Sequence, residues 1–169
     1  MAIAQTLLPE FDHEMAGCRT ALARIPAGQF AYKPHARSFS LGELANHLAA
    51  IPGWVASTMD RTHLDFSAPE TRASMPAPVS TPEGLLALFD QGVADARARL
   101  AAASDPDYQV VWSGLNEGKV LFAFPRIAVL RSFILNHAIH HRAQLCVYLR
   151  MLDVPVPALY GPSADETGM

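Results

Sequence analysis

The segment 136–150 reads NHAIHHRAQLCVYLR and places three of the chain's seven histidines on an otherwise apolar background. In an α-helix, residues four apart lie about 40° from each other around the axis, so His137 and His141 point in the same direction. His140 lies about 100° from His141 and therefore falls on the flank of that face. The segment predicts a matched pair of imidazoles and a third histidine with a different role.

A second helix is predicted to aim another imidazole at the same interior. His47 falls on the apolar stripe of a helix over 41–59, whose start is marked by the capping-box pattern of Ser40 and Glu43. Buried imidazoles without partners cost free energy, and a shared divalent cation would give each ring nitrogen a partner. We therefore predict that His47, His137 and His141 hold one metal ion. Histidines that hydrogen-bond within the core are the alternative interpretation.

Four amphipathic segments predict an all-α protein, a four-helix bundle with long crossover connections. The predicted helices cover 3–24, 41–59, 82–100 and 126–152. Pro52 should bend the second helix near Leu48, where its ring meets the carbonyl four residues earlier. The runs YQVVWS and KVLFAF, on either side of GLNEG (114–118), predict a small β-hairpin before the last helix. The connector 61–80 is long and irregular, and such loops often cover a site.

Composition limits the classes of partner. The 169 residues fit a single domain over 1–169, and the net charge of −3 gives no basic surplus for a nucleic-acid backbone. No apolar run approaches the ~20 residues that span a bilayer, so we expect no membrane partner and a cytoplasmic location. Cys18 and Cys146 match no metal or redox spacing and are predicted to be buried free thiols.

The histidine pattern excludes one class of metalloenzyme, and several neighbouring side chains are further candidates for the site. Ala138 follows the first histidine of the pair, so the general base of an H-E-x-x-H zinc peptidase is absent. Three protein ligands leave one coordination position open, which is typical of catalytic zinc sites. His63 is a candidate group at the site's edge. Asn46 and Asn136, each before a site histidine, are candidates for orienting rings or loops.

Two long segments carry a family resemblance. The stretches YKPHARSFSLGELANHLA (32–49) and 119–166, with its N-H-x-x-H-H-R-x-Q-L core and V-P-x-P-x-x-Y-G-P-S tail, resemble the DinB-like (damage-inducible) family of metal-binding four-helix bundles. The resemblance implies a metal triad at His47, His137 and His141, nickel or zinc as the ion, and a homodimer. Some relatives transfer thiol cofactors such as bacillithiol, mycothiol or glutathione, and others isomerise thiol adducts. Ala143 departs from the glycine that is common there.

Several functions fit this pattern. We predict a metal-dependent enzyme acting on small molecules, preferably a transferase that uses a low-molecular-weight thiol as co-substrate, because a bound metal favours the thiolate near neutral pH. A metal-dependent hydrolase is the alternative enzyme, since the same position can activate water. A dimeric metal-binding protein without turnover, and a helical bundle without metal, are further alternatives. The sequence does not identify the ion, the thiol or the electrophile.

Overall fold

The described residues, 2–167 of a computed structural model, are mostly helical and carry one small sheet. They form eight α-helices: α1 (Ile3–Leu22), α2 (Leu41–Ala50), α3 (Trp54–Asp60), α4 (Pro69–Ala73), α5 (Pro82–Ala102), α6 (Asp105–Gln109), α7 (Arg126–Val129) and α8 (Asn136–Met151). The three strands are β1 (His63–Asp65), β2 (Val111–Asn116) and β3 (Lys119–Pro125). Within the same residues, no helix is both long and apolar enough to cross a bilayer.

The apolar stripes of α1, α2, α5 and α8 supply most of the buried core. Helix α1 packs against α5 and α8, and α2 packs against the same two helices. The stripe predicted on α1 is buried along its whole length, at Leu7, Phe11, Met15, Cys18 and Leu22. The mostly helical fold predicted from hydrophobic periodicity is therefore confirmed.

The second predicted helix is broken rather than bent. Its start is as predicted, because the Ser40 Oγ accepts from the Glu43 backbone N–H at 3.1 Å and the Glu43 carboxylate accepts from the Ser40 N–H at 2.6 Å. Helix α2 then gives way to a 3-10 turn over Ile51–Gly53, and α3 begins at Trp54. Pro52 is the residue that interrupts the helix, as predicted, but the interruption lies at the proline itself and not near Leu48. The tighter 3-10 turn accommodates the helical hydrogen bond that proline cannot donate.

The last predicted helix also differs from a single regular helix. After α7, the backbone makes a π-helical turn over Leu130–Leu135, and only from Asn136 is it regularly α-helical. Because His137 and His141 both lie in the regular part, their four-residue spacing still places them on one face. Turns of π-helix inside α-helices are frequent at functional sites.

The small sheet contains the predicted hairpin and one strand that was not predicted. Strands β2 and β3 are antiparallel, and they turn through Glu117 and Gly118, whose φ angles of 51° and 73° are left-handed. Strand β1 pairs in parallel with β2. The expectation that the connector 61–80 is irregular is thus wrong for β1 and α4. The Asp65 carboxylate accepts hydrogen bonds from Ser67 and from the Gly118 N–H, and these bonds tie the connector to the hairpin and lower the pKa of Asp65 to about 2.

A buried ion pair joins the first helix to the last. The Arg142 guanidinium lies 2.8 Å from the Glu14 carboxylate, and their side chains are 2% and 9% exposed. Arg142 also donates to the Glu14 carbonyl at 3.1 Å, and the Tyr160 hydroxyl donates to the Glu14 carboxylate at 2.7 Å. The pair therefore links α1, α8 and the C-terminal tail (153–167). Since Arg142 directly follows His141, the pair also fixes the depth of that histidine in the core.

We expect Glu14→Gln to lower the free energy of unfolding by roughly 3 kcal/mol, because Arg142 would remain buried without its carboxylate. Asp12→Asn is the matched control on the same helix: its pair with Arg97 is exposed, with side chains 42% and 52% accessible, and its loss should change little. Urea unfolding followed by circular dichroism measures both. Equal effects of the two substitutions would contradict the role given to the buried pair.

Candidate metal centre

The structure brings the three predicted histidines together. The His137 Nε2 lies 2.8 Å from the His141 Nε2 and 3.2 Å from the His47 Nε2. One ring nitrogen from each residue lies within 4.8 Å of the other two. His141 is buried, and His47 and His137 are half-buried. Helix α2 supplies one imidazole and α8 supplies two, in the arrangement that the helical spacing predicts.

The hydrogen bonds at the far side of two rings determine which nitrogens face each other. The His137 Nδ1 lies 3.3 Å from the Phe133 carbonyl, which can only accept, so this Nδ1 carries the hydrogen. The His141 Nδ1 lies 2.8 Å from the Gln144 Oε1, which accepts from the Nδ1–H tautomer of this ring. With both neutral rings in the Nδ1–H tautomer, the two Nε2 atoms present lone pairs to each other. Two lone pairs at this distance repel unless a cation lies between them, so the donor set fits a metal ion.

Burial keeps these imidazoles in the neutral form that binds metals. Desolvation, reinforced by His141 and His137, lowers the pKa of His47 to about 4. Desolvation also lowers the pKa of His137 and of His141, although the Phe133 carbonyl and Gln144 oppose it. At neutral pH the three rings are uncharged, and a proton is a poor substitute for a metal cation between them.

Aromatic rings border the three histidines. The Trp54 ring lies 5.5 Å from the His47 ring and 5.4 Å from the His137 ring, and the Phe39 ring lies 6.1 Å from the His47 ring. Over residues 2–167, no carboxylate or thiol belongs to the cluster. The three-histidine group can therefore bind a divalent metal ion with imidazole ligands alone, and the identity of the ion is open.

Asn46 fixes part of the connector beside the site. Its side-chain amide donates to the Val79 carbonyl at 2.8 Å and accepts from the Val79 N–H at 2.7 Å. The same amide donates to the Gly42 carbonyl at 2.8 Å, so its orientation is set by its own helix. The prediction that Asn46 orients a loop is confirmed. Asn136, the second asparagine considered, is exposed and forms no described side-chain hydrogen bond that would give it this role.

The other candidate side chains lie outside the cluster. His140 is exposed, and its ring lies beside the His141 ring at 4.9 Å without joining the group, as the angular argument predicts. His63 is exposed on β1 and is not part of the three-histidine group, and its place at the edge of the site stays a prediction. Cys18 and Cys146 are free thiols. Burial raises the pKa of Cys18 to about 12 and raises that of Cys146, which makes both poor nucleophiles.

Sequence reasoning missed Gln144 and the Phe133 carbonyl. Each orients a histidine through the ring nitrogen that faces away from the cluster, which is the usual outer-shell arrangement for histidine ligands. The role of Gln144 could have been predicted from the sequence, because this residue lies three positions after His141 on the same helix face. The contact of the Phe133 carbonyl with His137 could not be predicted from the sequence, because it depends on the π-helical turn before α8.

Comparisons with known proteins agree on one family. The sequence profile of the DinB family matches residues 3–168. The uncharacterized protein YrdA of Bacillus subtilis (strain 168) is 27% identical over 133 residues, which are 77% of this chain and 71% of that protein.

Solved structures of DinB-like proteins share the fold. One from Bacillus cereus ATCC 10987 has a TM-score of 0.69 and 20% identity and covers 94% of this chain and 98% of its own. The DinB-like protein YjoA from Bacillus subtilis has a TM-score of 0.69 and 18% identity, with 90% and 96% covered. A DinB family member from Exiguobacterium sibiricum 255-15 has a TM-score of 0.66 and 23% identity, with 90% and 94% covered.

We expect Gln144→Leu to weaken metal binding by about 10–100-fold, because His141 loses the acceptor that holds its Nδ1–H tautomer. Gln144→Glu keeps an acceptor at the same place and should retain most of the affinity. Competition titrations of both variants with a chromogenic chelator measure the difference. Identical affinities for wild type and Gln144→Leu would show that this hydrogen bond does not orient the ligand.

Proposed function

The chain belongs to the DinB family, and from this membership and the geometry of its histidines we propose that it is a metal-dependent enzyme that transfers a low-molecular-weight thiol to a small electrophile. One observation carries the proposal. Three neutral imidazoles converge without a fourth protein ligand in the described cluster, so a bound ion would keep a position for substrate. We further propose nickel or zinc as the ion and His47, His137 and His141 as its ligands.

The proposed chemistry assigns a separate task to each group of residues. When bound, the cation would supply Lewis acidity, which favours the thiolate of a thiol substrate near neutral pH. Gln144 and the Phe133 carbonyl hold the imidazoles of His141 and His137 in the tautomer that offers Nε2. The Trp54 ring lies edge-on against the His47 ring at 5.5 Å and would restrict water on that side, which strengthens electrostatic interactions at the site.

The reaction itself needs no further protein nucleophile. In transfer to an alkyl or aryl halide, a sulfur–carbon bond forms, the carbon–halogen bond breaks, and the thiol proton is released to solvent with the halide. Both cysteines have raised pKa values and lie outside the histidine group. The attacking sulfur therefore belongs to the substrate. The rigid scaffold that we propose for this reaction is a four-helix bundle of α1, α2, α5 and α8.

Transfer activity is tested with metal-loaded protein, a halide electrophile, and bacillithiol, mycothiol and glutathione in parallel. The proposal predicts turnover with at least one thiol, and loss of turnover after chelation while the helical circular dichroism persists. Hydrolysis of ester or amide substrates without any thiol requirement would favour the hydrolase instead. Metal-loaded protein that binds its ion and turns over none of these substrates would contradict both enzyme proposals.

The ligand assignment predicts a specific pattern of metal content. Each of His47→Ala, His137→Ala and His141→Ala leaves two imidazoles and should lose most of the bound metal. His140→Ala is the matched control, because its exposed ring lies outside the cluster and its loss should leave occupancy near wild type. Elemental analysis of protein purified without an affinity tag gives metal per chain for all four. Loss of metal in His140→Ala with retention in His141→Ala would require a different ligand set.

We also propose a homodimer, which rests on family membership. In the sequence, Leu135, Ala138, Cys146 and Leu149 lie away from the histidine face and would need a partner if they were uncovered. The three aliphatic residues are buried within the chain itself and Cys146 is half-buried, so this side of the helix does not argue for a partner. Val147 and Met151 on α8 remain 57% and 53% exposed. Light scattering at micromolar concentration should give about twice the chain mass of 18.3 kDa. A mass of one chain would reject the dimer.

A further inference from the structure

A cavity lies at the C-terminal end of α3, separate from the three histidines. Its volume is about 390 Å³, and its walls come from the end of α3, from β1, from α4 and from the first residue of α7. This volume falls within the range of about 300–1,000 Å³ that is common for small-molecule sites. Its lining includes Arg61 and Arg126.

Arg126 is a buried cation without a carboxylate partner. Its residue is 8% exposed, and it forms no salt bridge with any residue in the range 2–167. Its Nη2 donates to the Arg61 carbonyl at 2.9 Å and its Nη1 donates to the Asp107 carbonyl at 3.3 Å. Its Nε is buried and has no acceptor among the described residues. A buried guanidinium whose direct hydrogen bonds go to carbonyls alone costs free energy that a contacting anion would recover.

The nearby carboxylates do not fill this role, because most of them already have partners. Asp60 pairs with Arg99 at 2.9 Å. Asp65 accepts from Ser67 and from the Gly118 N–H. The Asp107 carboxylate, whose pKa Arg126 helps to lower, accepts from the Ser104 N–H and hydroxyl at 2.8 Å and 2.6 Å.

The unpaired guanidinium of Arg126, rather than the net charge of the cavity lining, favours an anion. Arg61 and Arg126 face Asp65, which is hydrogen-bonded only to neutral donors, and Glu70, which is exposed and forms no described ion pair. These two carboxylates balance the two guanidinium groups in number, but neither carboxylate lies in a salt bridge with Arg126. Guanidinium groups present planar donors that match carboxylate and phosphate oxygens.

We propose that this cavity binds a small anion with a carboxylate or phosphate group, held by Arg126 and Arg61. The proposal does not depend on the metal centre, because none of the three histidines lines the cavity. Carboxylate and phosphate share the chemistry that a guanidinium recognises, and the two are separated by experiment. The anion would pair with a guanidinium that two carbonyls already hold in place at the cavity wall.

The test is an NMR titration of ¹⁵N-labelled, metal-free protein with inorganic phosphate and, separately, with succinate. Ionic strength is held constant with chloride. The Nε–H resonance of Arg126, assigned by its absence in Arg126→Lys, should shift and saturate with phosphate or with succinate, which identifies the preferred anion. Arg61→Ala should weaken binding by about tenfold or more, because one charge-assisted contact is lost. Arg97→Ala, at a distant exposed pair with Asp12, should leave the affinity unchanged.

The proposal is overturned if neither anion produces a saturable shift in the wild-type protein. It is also overturned if a folded Arg126→Lys protein binds the anion, followed through neighbouring amide resonances, as tightly as wild type. Because Arg126 bonds two carbonyls, that variant can fail to fold. In that case the Arg61→Ala variant tests the proposal, because the exposed Arg61 side chain is not needed for the fold. Weakened anion binding in this variant would support the site, and unchanged binding would reject it.

Discussion

The repulsion between two imidazole lone pairs is the constraint around which the site is built. The Phe133 carbonyl and the Gln144 Oε1 can each accept a hydrogen from the outer nitrogen of a histidine, and in these tautomers the Nε2 atoms of His137 and His141 face each other unprotonated at 2.8 Å. Burial lowers the pKa of both rings and disfavours a proton between them. A divalent cation would resolve the conflict, and His47 lies on α2 where it would be the third donor. The three-histidine group can therefore bind a metal ion.

The surrounding fold anchors α8 and α2 close to the candidate ligands. The buried pair of Arg142 and Glu14 anchors α8 to α1 one residue beyond His141. Asn46, one residue before His47, fastens the connector to α2 through the Val79 backbone. Both anchors thus lie next to a candidate ligand in the sequence. The interactions that stabilise the fold are for this reason also the ones that fix the geometry of the imidazoles.

The parts predicted from sequence were those that depend on local periodicity. His137 and His141 share a face because α-helical geometry alone places residues four apart together, and His47 followed from the stripe of an amphipathic helix. Strand β1 was not predictable, because a three-residue strand has too short a pattern and its parallel partner β2 lies almost fifty residues away. The break after Ala50 follows from Pro52, so the local sequence indicated it, although not the 3-10 turn that forms there. The π-helical turn before Asn136 depends on tertiary packing, which local propensity does not encode. The tautomers, which give the strongest argument for a cation, required the hydrogen-bond partners of the folded chain.

Cobalt(II) titration of the metal-free protein, followed by visible absorption before and after addition of a small thiol, tests the central claim most directly. Cobalt(II) substitutes for zinc at imidazole sites, and its spectrum responds to the number and type of ligands. The account predicts one cobalt ion per chain and a spectrum that changes when a thiol enters the open position. Failure to bind cobalt, or a bound cobalt whose spectrum is unaffected by the thiol, would contradict an open three-histidine metal site.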